Sequence, residues 1–127
     1  MHKVILVGLG GFIGAILRYL ISGYVQYLTQ SVAFPHGTLA VNITGCFLIG
    51  IFSHLVDSQA GMTAEMRLLL MVGILGSFTT YSTFSNETIN LLRDQRLFLA
   101  FLNVATHIIL GLSAVIIGRF TVIMIWR

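Results

Sequence analysis

The sequence predicts an all-α membrane protein of four transmembrane helices, the third broken near its middle. Three observations predict it. Only 9% of the 127 residues are Asp, Glu, Lys or Arg, where a soluble domain carries about 25%. The hydrophobic fraction is 57% and the mean hydropathy is +0.96. The few charges also punctuate the chain, leaving long uncharged runs between them. So few charged side chains cannot cover a soluble globule, which excludes a soluble enzyme, a nucleic-acid-binding domain and a disordered chain. The seven Lys and Arg exceed the four Asp and Glu, but an excess resting on so few residues makes no basic patch. No nucleic-acid partner is expected; the lipid bilayer is. The length allows one domain at most, so residues 1–127 are read as a single four-helix unit.

A helix needs about 20 mostly apolar residues to cross a bilayer. Residues 4–17, 68–86 and 97–118 carry no charge, and residues 19–56 form an uncharged run of 38. That longest run is two spans with a turn at 31–37, where the chain has its only proline. The expected spans lie near 4–25, 38–56, 67–92 and 97–124. The second loop holds Asp57, Ser58, Gln59 and Gly61, and the third is tight, around residues 93–96. Lys3 ahead of an apolar run imitates a signal peptide. No small-residue cleavage site follows, and Arg18 and Tyr19 interrupt, so the first segment is expected to remain as a span.

The first span contains Gly10 and Gly14, the small-residue spacing that lets helix backbones approach closely. Its glycine run brushes against a nucleotide-binding fingerprint but misses the spacing and the strand-then-helix context. Arg18 has two readings: a guanidinium at depth facing a water-filled cavity, or one snorkelling to the headgroups. In the second span Thr38, Asn42 and Gly45 are spaced i, i+4 and i+7 and share one face. Asn42 needs hydrogen-bond partners there. It serves either as a tie between helices or as a donor to an anion. Asn42 and Asn86 begin sequons, but both fall inside expected spans, so glycosylation is not expected. Cys46, the only cysteine, is expected to be a small buried packing residue.

The third span carries the strongest signal. Ser77, Thr79, Thr80, Ser82, Thr83 and Ser85 are six hydroxyls in nine residues. Single hydroxyls hide by bonding to the preceding turn. Six cover every face of the helix, so the segment is expected to be enclosed by protein or to line a wet cavity. Gly73, Gly76 and the β-branched threonines also weaken the helix. A broken helix exposes carbonyls to cations and amides to anions. Tyr81 and Phe84, three apart, are neighbours on one face. They are core packing, or they offer positive ring edges to a small anion, with Thr80, Ser82 and Thr83 supplying O–H donors. No span has a carboxylate at its centre, which argues against a proton-coupled cation exporter. His107, four residues from Asn103 in the fourth span, is expected to pair across helices rather than bind a metal.

Four spans put both termini on one side of the membrane. Lys3, Arg67, Arg127 and Arg119 belong to that side, and Arg93, Arg96 and Arg18 to the other. A difference of one gives the positive-inside rule almost no instruction. Either a weak bias decides the orientation, or the chain inserts both ways and pairs with an inverted copy of itself.

These residues together resemble a known family, the small bacterial fluoride channels of the CrcB/Fluc type. Residues 10–15 (GGFIGA) with Arg18 and Tyr19 look like its first-helix motif, residues 37–42 (GTLAVN) with Gly45 like its second, and residues 76–85 (GSFTTYSTFS) with Glu87 like its third-helix signature. The likeness covers essentially the whole chain, and the third stretch is the most specific. The resemblance implies an antiparallel, dual-topology homodimer in the bacterial inner membrane, with two pores through which fluoride leaves the cell passively. It also implies a central structural sodium ion held by the backbone carbonyls of Gly76 and Thr79. The fluoride pathway would be lined by Asn42, Tyr81, Phe84, Ser82, Thr83 and Thr38, with Arg18 at an aqueous vestibule. The family commonly has phenylalanine where this chain has Tyr81, which keeps the ring edges and adds a hydroxyl. The runner-up is a small dual-topology multidrug cation exporter, which should carry a glutamate in its first span; residues 4–17 have none. A structural membrane subunit would explain the glycines but not the hydroxyls.

Overall fold

The computed structural model describes residues 1–58 and 61–125. Gln59 of the second loop and Arg127 of the charge tally lie outside the described residues. Among the described residues, four helical spans are long and apolar enough to cross a membrane: His2–Thr29, His36–Asp57, Ala64–Arg93 and Leu97–Ile125. We label His2–Thr29 α1 and His36–Asp57 α2. The third span divides into α3, residues 64–78, and α4, Tyr81–Arg93. Leu97–Ile125 is α5. At 1.5 Å per residue, the 28 residues of α1 extend about 42 Å, so its ends reach beyond a hydrocarbon core of roughly 30 Å. The expected spans are therefore present, each somewhat longer than expected.

Helix α1 packs against α3, and glycine makes this possible. A Cβ on Gly10 would lie 2.9 Å from the Gly73 Cα, and one on Gly14 2.9 Å from the Ile74 carbonyl carbon. Backbone meets backbone there, as the Gly10/Gly14 spacing predicts. Helix α2 packs on α5 in the same way, through Gly50 and Gly118. A small core of Val41, Leu75 and Phe78, with Leu48, Ile49 and Phe52 around it, lies against the interruption of the third span. At one end of the bundle Arg119 pairs with Asp57, joining α5 to the end of α2.

The third span departs from a regular helix twice. Leu68–Leu75 is wound as a π-helix, the wider i→i+5 form that usually marks functional segments. Nothing in the sequence predicts it. After Gly76–Phe78 the chain becomes extended at Thr79 (φ −84°, ψ 157°) and Thr80 (φ −151°, ψ 108°), then resumes as α4. This second interruption is the expected break, midway along the span.

Candidate functional site

One face of α2 holds the break together. Thr38, Asn42 and Gly45, which share that face by spacing, all address the third span. Thr38 Oγ1 donates to Glu87 Oε1 at 2.6 Å. Asn42 takes both backbone groups of Thr80: its Oδ1 accepts the Thr80 N–H at 2.8 Å, and its Nδ2 donates to the Thr80 carbonyl at 3.2 Å. Gly45 lies against the Thr79 methyl, where a Cβ would collide. Asn42 is thus a tie between helices. An amide nitrogen carries two hydrogens, and Thr80 accounts for one, so a donor remains for a ligand.

The break diverts two amides from the helical ladder. Thr80 N–H, which would close onto Gly76, goes to Asn42. Thr83 N–H, which would close onto Thr79, goes to Thr80 Oγ1 at 3.2 Å and so caps α4. The carbonyls of Gly76 and Thr79 are left without their helical donors. A neutral carbonyl oxygen is the ligand type a hard monovalent cation takes, so these two oxygens fit a sodium ion. Among the described residues no cluster of His, Cys, Asp or Glu is placed to hold a metal.

The six hydroxyls divide into two groups. Ser77, Thr79 and Ser85 bond back to carbonyls of the preceding turn, Ser77 also donating to Gly11 O of α1 at 2.9 Å. These three bond back within the helix, and the other three do not. Thr80 is buried and donates to Thr83 Oγ1 at 2.9 Å. Thr83 therefore accepts that bond and keeps its own proton for another partner. Ser82 is exposed on α4 and lines neither of the cavities at the break.

A groove of about 400 Å³ runs along the break, bringing Asn42, Gly76, Thr79, Tyr81 and Phe84 together. The Tyr81 and Phe84 rings are 5.6 Å apart and tilted by 51°. Tyr81 is 80% exposed. A second cavity of about 200 Å³ shares Thr80 with the groove and is lined by Arg18, Thr38 and Thr83. Arg18 thus borders a cavity beside the break.

Two expectations need correction. His107 does not pair across helices: its Nδ1 donates to the carbonyl of Asn103 in its own helix at 2.9 Å. Asn103 makes the cross-helix bond instead, from Nδ2 to Thr88 Oγ1 at 3.0 Å. The i−4 carbonyl takes the ring nitrogen, and the ring packs on Phe84 of α4 with centroids 4.4 Å apart. Cys46 is only partly buried and lines the groove, because Gly111 opposite it leaves space. Sequence reasoning did not place His107 in this wall. The only signal for it was a polar side chain in an otherwise apolar span.

Residues 5–119 match the family described as CrcB-like protein, Camphor Resistance (CrcB). The chain belongs to the CrcB family. Several relatives agree with that match along nearly their whole length. The chain is 43% identical to fluoride-specific ion channel FluC 1 of Methanosarcina acetivorans, over 95% of this chain and 91% of that one. It is 43% identical to FluC of Rhizobium johnstonii, over 93% and 94%, and 44% identical to FluC of Shewanella woodyi, over 94% of each. These CrcB relatives bear the name of ion channels, not of enzymes. The match covers all four spans, so membership rests on the whole bundle and not on the hydroxyl-rich segment alone.

Proposed function

We propose that this chain is a passive, fluoride-selective channel that lets fluoride leave the cell through the bacterial inner membrane. The observation that carries the reading is the groove at the break, where Asn42, the tilted Tyr81–Phe84 pair and adjacent hydroxyls meet without a charged side chain. Fluoride is small and strongly hydrated, so it leaves water only where several donors meet it at close range. The spare Asn42 amide hydrogen is such a donor in the groove, and the Thr83 hydroxyl is another in the adjoining cavity. The Thr38 proton is held by Glu87, and Ser82 lies outside both cavities. The edges of the Tyr81 and Phe84 rings carry positive partial charge. Arg18 raises the local anion concentration in its vestibule by its field. The names of the FluC relatives support the same ion.

The working unit in this reading is an antiparallel homodimer with two pores. The groove is mostly apolar, but it leaves Asn42, Thr79 and the Tyr81 hydroxyl facing lipid, which satisfies no hydrogen bond, and a second copy would cover them. The near-equal split of cations between the two sides suits insertion in either direction. Gly76 and Thr79 would hold a structural sodium ion through their carbonyls. Bound there, the ion supplies positive potential beside an anion path built of neutral groups. The multidrug exporter reading lacks its carboxylate: α1 has none, and Glu87 of α4 is bonded to Thr38.

Expression in a bacterium lacking its own fluoride exporter tests the reading in cells. Growth on millimolar fluoride restored by this chain is the expected result. Growth no better than with an empty vector contradicts it.

A further inference from the structure

Gln26 takes no part in the pathway proposed above, yet its side chain is fully engaged. Its Nε2 donates to the carbonyls of Ser31 and Phe34, the latter at 3.1 Å. Its Oε1 accepts the Gly37 N–H at 3.0 Å. The first amides of any helix lack intrahelical partners, and α2 has no cap of its own. Pro35 stands at its N-cap without a side-chain hydrogen bond, and its first turn has no acidic residue. Gln26 thus does from the preceding helix what Ser or Asp does at an ordinary N-cap.

A second contact acts on the same point. Gly37 packs directly on the backbone of Ser22, where a Cβ would lie 3.1 Å from the Ser22 Cα. Ser22 and Gln26 are one turn apart on α1, so a single turn of α1 grips the first turn of α2. The residue after Gly37 is Thr38, 7% exposed, whose hydroxyl holds Glu87 Oε1 at 2.6 Å. Gln26, Gly37, Thr38, Thr83 and Glu87 line one cavity of about 490 Å³ at that end of the bundle.

We infer that Gln26 is a positioning residue: by capping α2 from α1 it fixes the Thr38–Glu87 contact at the mouth of the fluoride path. The inference rests on the channel reading for its functional half and on hydrogen bonding for its structural half, and the test separates them. In liposomes, Gln26→Leu lowers fluoride efflux about tenfold, the effect of roughly 1.4 kcal/mol. In a Thr38→Val background the same change costs under about twofold, because two residues acting through one contact are not additive. In lipid nanodiscs, amide exchange at residues 36–39 becomes faster in Gln26→Leu and is unchanged in the third span. Gln26→Glu, whose protonated acid both donates and accepts, retains slow exchange there at low pH and loses it once the carboxylate forms opposite the Ser31 and Phe34 carbonyls.

Wild-type efflux in Gln26→Leu overturns the inference, as do additive losses in the double variant. Unaltered exchange at 36–39 in Gln26→Leu overturns it too, and so does fast exchange in Gln26→Glu at a pH where the acid is protonated. If the unmodified protein passes no fluoride, the channel reading falls, and the exchange data alone then decide whether Gln26 clamps α2.

Discussion

Asn42 and Thr80 are 38 positions apart in sequence, and their two hydrogen bonds hold the third span in its broken form. Replacing Asn42 by leucine leaves a buried N–H and C=O of Thr80 unpaired, each worth about 1–3 kcal/mol. Asn42→Leu is expected to lower the thermal midpoint in detergent and to abolish fluoride efflux; an unchanged midpoint contradicts the tie. Phe84→Ile probes the other wall. It keeps bulk and removes the ring, so a large loss of flux with intact assembly is expected, and normal flux sinks the ring-edge account. The residue types at the site were legible in the sequence, since an amide and six hydroxyls in apolar spans demand partners. Which partner each takes was not. The meeting of Thr38 with Glu87, or of Asn42 with Thr80, is set by how α2 lies on the third span.

The helices themselves were legible because apolarity is a one-dimensional signal. Charge-free runs located the four spans to within a few residues of their ends, and the proline-bearing segment 31–37 marked the first turn. The break at Thr79 and Thr80 could also be read, from glycines and β-branched residues in one stretch. The π-winding of Leu68–Leu75 could not, because eight apolar residues carry no local mark of their winding. That stretch lies where Gly10 and Gly14 press against Gly73 and Ile74, a matter of packing between elements. Packing of this kind gives a prediction at the same scale. Gly14→Ala forces a Cβ into the α3 backbone and is expected to destabilise by about 1–3 kcal/mol. Gly8→Ala meets nothing within 4 Å and should leave stability equal or slightly higher, as alanine favours helix. Equal melting of the two variants contradicts the α1–α3 contact.

The molecule as a whole is defined by scarcity of charge. At 9% this first identifies a membrane protein, and it extends into the groove, whose lining includes no Asp, Glu, Lys or Arg. One of the seven cations, Arg119, is already paired with Asp57. Arg18 faces the small cavity beside the break. In the proposed channel the ion path depends on amide hydrogens, hydroxyls and ring edges, and a second copy would close its open side. Passive conduction of fluoride is what this arrangement is claimed to do, and fluoride efflux from liposomes containing only this protein tests it most directly. With fluoride inside and the charge balanced by a potassium ionophore, the account predicts rapid efflux of fluoride and little efflux when chloride replaces it. Liposomes that hold their fluoride at high protein density contradict it.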